Sequence, residues 1–202
     1  MSAPASPSAG QDPFGRQEPV PDAAVNAPGV LGSRAGDPAA EARLRAAKRP
    51  RSVIAGPYGH PFHATAITIP IGAWTAAIVF DIVGLVGAAP DAFATGALWL
   101  VVIGVIGAVL AAVFGLLDFS KIARGTKAHR TALAHLSLNT AAVILFAVSI
   151  PVRAAADGPS VGGFVLSLIG YLIVGVSGFL GGELAYRHGV RVADETDQVR
   201  AY

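Results

Sequence analysis

Five histidines (His60, His63, His129, His135 and His188) and two carboxylates (Asp118 and Glu183) stand beside the long apolar stretches of this chain. Imidazole and carboxylate ligands together suit zinc, iron, manganese or copper, and two imidazoles on separate helices can hold a b-type haem. His135 lies deepest, roughly 7–9 Å inside an apolar stretch at the helical rise per residue. Asn139, one turn further, shares its face. Polar side chains at such depth turn toward a bundle interior and are functional candidates by default. His63 and His135 are therefore the candidate haem ligands, and His63, Asp118, His135 and Glu183 the candidate metal ligands. His60, His129 and Asn139 complete the cluster.

Helix ends sharpen the grouping. Asp118 and Glu183 fall at helix C-termini, where the dipole disfavours an anion by about 0.3–1 kcal/mol. His63 and His129 fall at N-termini, which favour the neutral, ligating form of imidazole. A bound cation would relieve the misfit of the carboxylates. A purely structural account is also available. Glu183 can pair with Arg187 at i, i+4 and Asp118 with Lys121 at i, i+3. His135 can serve as an interhelical hydrogen-bonding group, a role worth about 0.6 kcal/mol on average.

The chain has no cysteine. Disulfides, thiolate chemistry, Cys-ligated iron–sulfur centres and covalent haem attachment are thereby excluded. No Gly-rich phosphate loop followed by Lys and no Ser-His-Asp order points to phosphoryl transfer or serine hydrolysis.

The elements that must position these groups are membrane spans. Apolar residues make up 53% of the chain and charged residues 14%, against roughly 25% charged in soluble domains. Four stretches, near 64–86, 92–117, 132–152 and 160–182, reach the length of about 20 residues that crosses a bilayer. The second has no charge between Asp91 and Asp118. Since lipid offers the backbone no partners, the spans are helices. The expected fold is an all-α membrane protein with four transmembrane helices (residues 58–190), a disordered Pro/Ala/Gly-rich tail (1–57) and a short tail (191–202). Residues 37–48 can form a short amphipathic helix within the first tail.

Fourteen of the fifteen Lys and Arg residues fall in the tails and the loop between spans two and three, and only Arg153 falls in the other loops. The positive-inside rule then puts both termini in the cytoplasm, in a bacterial inner membrane. The net charge of +2 reflects this asymmetry, and nothing points to nucleic acid. Asp81 is about 27 Å of helix beyond His63, so it belongs to the far face and is expected to meet water there. Pro70 predicts a kink in span one. Gly178 and Gly182, with Gly163, Gly170 and Gly175, predict that span four packs tightly against its neighbours or in a homo-oligomer.

The halves resemble each other. Thr75-Ala-Ala-Ile-Val-Phe matches Thr140-Ala-Ala-Val-Ile-Leu, and Phe114-Gly-Leu-Leu-Asp118 matches Phe179-Leu-Gly-Gly-Glu183. His63 and His129 precede the two threonines at similar distance. A tandem duplication of a helical hairpin, with its axis along the membrane normal, is suggested.

Gly59-His60-Pro61-Phe62-His63, Pro70-Ile71-Gly72, Gly115-Leu116-Leu117-Asp118, His135-Leu-Ser-Leu-Asn139 and Gly181-Gly182-Glu183-Leu-Ala-Tyr186-Arg-His188-Gly189-Val190 occur in that order. Over residues 57–192 the chain resembles the bacterial membrane family catalogued as domain of unknown function twenty-two thirty-one. It departs from that pattern at Ala64, where the family often has proline. The resemblance implies four helices in a bacterial cytoplasmic membrane and supplies no activity. Some members are joined to iron–sulfur domains and so resemble electron-transfer membrane proteins. The expected function is a non-catalytic accessory or scaffold protein with a cytoplasmic-side His/carboxylate cluster. The alternatives are a b-type haem electron-transfer protein, with an electron-transfer partner, or a divalent-metal-binding membrane protein.

Overall fold

The structure is a computed structural model that describes residues 37–56, 59–87 and 89–194, with Gln198. Most of the expected tail (1–36 and 57) and most of the C-terminal tail (195–197 and 199–202) lie outside the described residues. Residues up to Glu41 and residues from Ala42 onward form separate units, and the bundle belongs to the second.

Helix α1 (Pro38–Lys48) matches the short helix expected there and is followed by a single 3-10 turn (Val53–Ala55). The first span begins as α2 (Phe62–Ala66) and continues as α3 (Thr68–Leu85). The break at Ile67 lies three residues before Pro70, whose missing N–H cannot serve the carbonyl of Ala66. The other spans are α4 (Pro90–Phe119), α5 (Lys127–Ala154) and α6 (Val161–Tyr186). All four are long and apolar enough to cross a membrane. They exceed the lengths read from hydropathy because polar or charged ends such as residues 127–131 and 183–186 remain helical; side-chain caps start two of them. Thr126 Oγ1 accepts from the N–H of His129, and Ser160 Oγ accepts from that of Gly163, both at 3.1 Å. His129 thus sits in the first turn of α5.

The packing is that of two hairpins. Helices α3 and α4 pair closely, as do α5 and α6, while α4–α5 and α3–α6 contacts close the ring. Helices α3 and α5 therefore face each other across the diagonal. Isoleucines and valines such as Ile71, Val79, Ile103, Ile106 and Val176 are exposed around the outside, where a bilayer is the solvent that suits them. The interior is built largely of small residues, including Ala77, Ala97, Ala111 and Ala142, as close helix packing in lipid requires.

Three layers of side chains fill the diagonal. His63 and His135 meet with ring centroids 6.2 Å apart and planes at 86°. Deeper, Trp74 stacks on Phe146 with ring centroids 3.9 Å apart and planes at 4°. Deepest, the Arg153 guanidinium grips both oxygens of Asp81, with Nη2 donating to Oδ2 at 2.7 Å and to Ser167 Oγ at 2.8 Å. Each pair joins residues 72 apart in sequence. The steps along each helix are 11 and seven residues, close to three and two turns of 3.6 residues, so one face of each helix supplies all three layers.

The hairpin contacts repeat as well. His63 bonds to the carbonyl of Ala111, and His135 to that of Ser177. Gly104 lies against Trp74, and Gly170 against Phe146; Gly115 lies against His63, and Gly181 against His135. The partners on α4 and α6 are 66 residues apart in each case. The two hairpins thus repeat each other in parallel, but in a register the sequence match missed. His135, not His129, is the counterpart of His63, and Leu184, not Glu183, stands where Asp118 stands. Short Ala/Val runs align at several offsets, whereas the polar contacts allow only one.

Asp81 requires correction. Asp81 is 4% exposed and paired with Arg153, because an unpaired carboxylate inside the bundle would be costly. In span four, Gly163 and Gly170 pack closely as expected, whereas a Cβ at Gly175, Gly178 or Gly182 would meet nothing within 4 Å among the described residues. The glycines of α6 in close contact are Gly162, Gly163, Gly170 and Gly181.

Candidate functional site

The histidine layer lies at the end of the bundle that carries Lys121, Arg124, Lys127, Arg130, Arg187 and Arg191, hereafter the basic end. His63 stands in the short helix before the Ile67 break, and its Nδ1 is 2.8 Å from the Ala111 carbonyl oxygen on α4. His135 stands in the third turn of α5, its Nδ1 2.8 Å from the Ser177 carbonyl oxygen on α6. A carbonyl oxygen only accepts, so each Nδ1 carries the hydrogen and donates it. In the neutral form the lone pair of each ring is then at Nε2.

Further contacts fix the rings. The Ser177 hydroxyl lies 3.0 Å from His135 Nδ1 and donates to the His135 carbonyl at 3.1 Å. Asn139 Nδ2 donates to the same carbonyl at 3.0 Å and lies 3.1 Å from His135 Nε2, consistent with an acceptor there. Gly115 and Gly181 back the rings so closely that an added Cβ would stand 3.0 Å from His63 and 3.2 Å from His135. Both rings are half-buried.

The remaining candidates are held elsewhere. Asp118 is 8% exposed and pairs with Arg191, Nε to Oδ1 at 3.0 Å, rather than with Lys121. Glu183 pairs with Arg187 at 3.0 Å, as its i, i+4 spacing predicts. His129 packs on Phe119 with ring centroids 5.1 Å apart. His60 contributes its backbone carbonyl to Arg191, and His188 its backbone N–H to Glu183. Among the described residues no three His, Asp or Glu side chains come together as a metal would need. His63 and His135 meet; Asp118 and Glu183 do not join them, and each is ion-paired with an arginine.

Sequence reasoning missed Arg191 and the Asp81–Arg153 pair. Arg191 looked like one more basic tail residue, and no local spacing marks its partner. Asp81 and Arg153 did leave a signal, since each follows a histidine by 18 residues.

Fold and layers define the class: a multi-pass membrane protein of four spans, made of two similar hairpins around a polar-aromatic axis. The chain belongs to the family described as predicted membrane protein (DUF2231), whose model matches residues 59–194. No curated protein and no solved structure matches it.

Proposed function

We propose that the protein is a b-type haem-binding electron-transfer protein of the bacterial inner membrane, with His63 and His135 as axial ligands and both termini cytoplasmic. One observation carries this reading: two imidazoles from opposite hairpins meet with centroids 6.2 Å apart, each with Nδ1 tied to a backbone carbonyl. That tie fixes the tautomer and orientation of a ligating histidine and raises its basicity. Two imidazoles on one metal ion need centroids roughly 6 Å apart, from nitrogen–metal bonds of about 2 Å and the half-width of each ring; the separation here is 6.2 Å. Asn139 must turn its amide from His135 Nε2, and it retains the His135 carbonyl as a partner. Haem with both axial positions filled supplies one-electron transfer. When bound, the haem would be held by His63 and His135, one from each hairpin.

A second reading is a scaffold without a cofactor, with an oligomer built on the open glycine stripe of α6. Its support is that the aromatic and ionic layers, and both carboxylates of the cluster, are complete within the chain.

A reduced-minus-oxidised visible spectrum of detergent-purified protein, with elemental iron, separates the two. We expect Soret and α bands at one iron per chain, both abolished in His63→Ala and in His135→Ala. A preparation that stays colourless and iron-free after haem reconstitution overturns the haem reading and leaves the scaffold.

A further inference from the structure

Arg191 is buried more deeply than a tail residue should be, and it is incompletely satisfied. It follows α6 by five residues, and its side chain is 6% exposed. Its backbone takes φ +60°, a left-handed conformation that an L side chain with a Cβ rarely adopts. Its interactions account for this posture. The backbone N–H donates to the Ala47 carbonyl at 3.1 Å. Nη2 donates to the carbonyls of His60 at 3.0 Å and Ala55 at 3.3 Å, while Nε faces Asp118 Oδ1 at 3.0 Å. Among the described residues Nη1 and Nε are both buried without a hydrogen-bond partner, the contact of Nε with Asp118 being an ion pair alone.

An arginine held this firmly with two nitrogens lacking a hydrogen bond invites an acceptor, because buried polar groups are almost always hydrogen-bonded. The position of the guanidinium says which one. His60, whose carbonyl it grips, precedes His63 by three residues. Asp118, its ion-pair partner, follows Gly115 by three, and Gly115 backs the His63 ring. The guanidinium therefore sits about one helical turn beyond His63, toward the basic end, on both elements that frame that ring. A planar guanidinium matches a carboxylate better than any other side chain does.

We propose that Arg191 anchors a carboxylate of the ligand bound at the histidine pair, a haem propionate. This rests on the haem reading above. Arg191 is then a binding residue that sets which way the porphyrin edge points, and the strained backbone at residue 191 is kept because it delivers the guanidinium there.

The test compares haem with its dimethyl ester, in which both propionates are masked, by titrating each into haem-free full-length protein in detergent. Wild type should bind the free acid at least about tenfold more tightly than the ester. In Arg191→Gln the two should bind alike, with the bis-imidazole spectrum retained, and Arg191→Lys should fall between. Equal affinity of wild type for the two porphyrins overturns the proposal while leaving the haem site standing. Binding of neither overturns the haem reading, and this one with it. Should Arg191→Gln fail to fold, the wild-type comparison alone decides.

Discussion

At the scale of single residues, glycine placement separates what the fold needs from what it tolerates. Gly115 and Gly181 each lie behind a histidine, and an alanine methyl at either position would press on the ring. Overpacking of this kind costs about 1–3 kcal/mol, spread over ring displacement and backbone shift. Gly115→Ala and Gly181→Ala should therefore lower thermal stability in detergent and loosen the Nδ1–carbonyl tie, weakening haem uptake several-fold. Gly178→Ala meets open space and should be neutral or stabilising by up to about 1 kcal/mol, from helix propensity alone. Melting curves of the three variants with haem titrations check both statements. Asn139→Leu offers a finer probe. It removes only a weak intramembrane hydrogen bond, worth about 0.6 kcal/mol, and clears Nε2 of His135. Haem affinity should stay level or rise; a fall would mean that the amide supports the ligand instead of blocking it.

At the scale of elements, the diagonal between α3 and α5 carries the strongest single prediction. Asp81 and Arg153 are each almost fully buried, and removing one member of such a pair strands the other. Asp81→Leu and Arg153→Leu should each cost about 3–5 kcal/mol, while the Asp81→Leu, Arg153→Leu double variant should cost less than the sum of the two single changes. A double-mutant cycle on detergent unfolding measures this coupling, and strict additivity would show that the pair contributes nothing. The helices themselves were legible in the sequence, since four long apolar runs, with Asp81 the one charge inside them, admit few other folds. Their register was not. Thr75 and Thr140 align well by eye, yet the structure pairs positions 72 apart, because matching alanines and valines cannot fix an offset and three interlocking contacts can. The missing clue was regularity: His63, Trp74 and Asp81 follow the same spacing as His135, Phe146 and Arg153. Read that way, the acid and the base announce each other.

At the scale of the molecule, charge, topology and connectivity can each be tested. The candidate histidine pair was legible, because depth alone singles out His135 and the helix start singles out His63. The four-ligand set was not, since the sequence could not show that Arg191 reaches back to Asp118. The orientation proposed from the basic residues is testable in a chain without native cysteines. Ala155→Cys, in the loop between α5 and α6, should react with an impermeant maleimide added to intact cells. Ser120→Cys, at the basic end, should react only after lysis; the reverse pattern would invert the topology. The two-hairpin construction also predicts that fragments 1–124 and 125–202, co-expressed, assemble and co-purify, since the cut falls at the Gly125 turn and spares every layer of the axis. The ion pair sets a further condition on that assembly. In a bundle of two similar hairpins, each residue at the diagonal meets its own counterpart. A first hairpin docked on its own copy would place Asp81 against Asp81 in the bilayer, and a second would place Arg153 against Arg153. Neither half can complete a bundle with itself, so acid on one hairpin and base on the other turn a two-fold resemblance into an obligate couple.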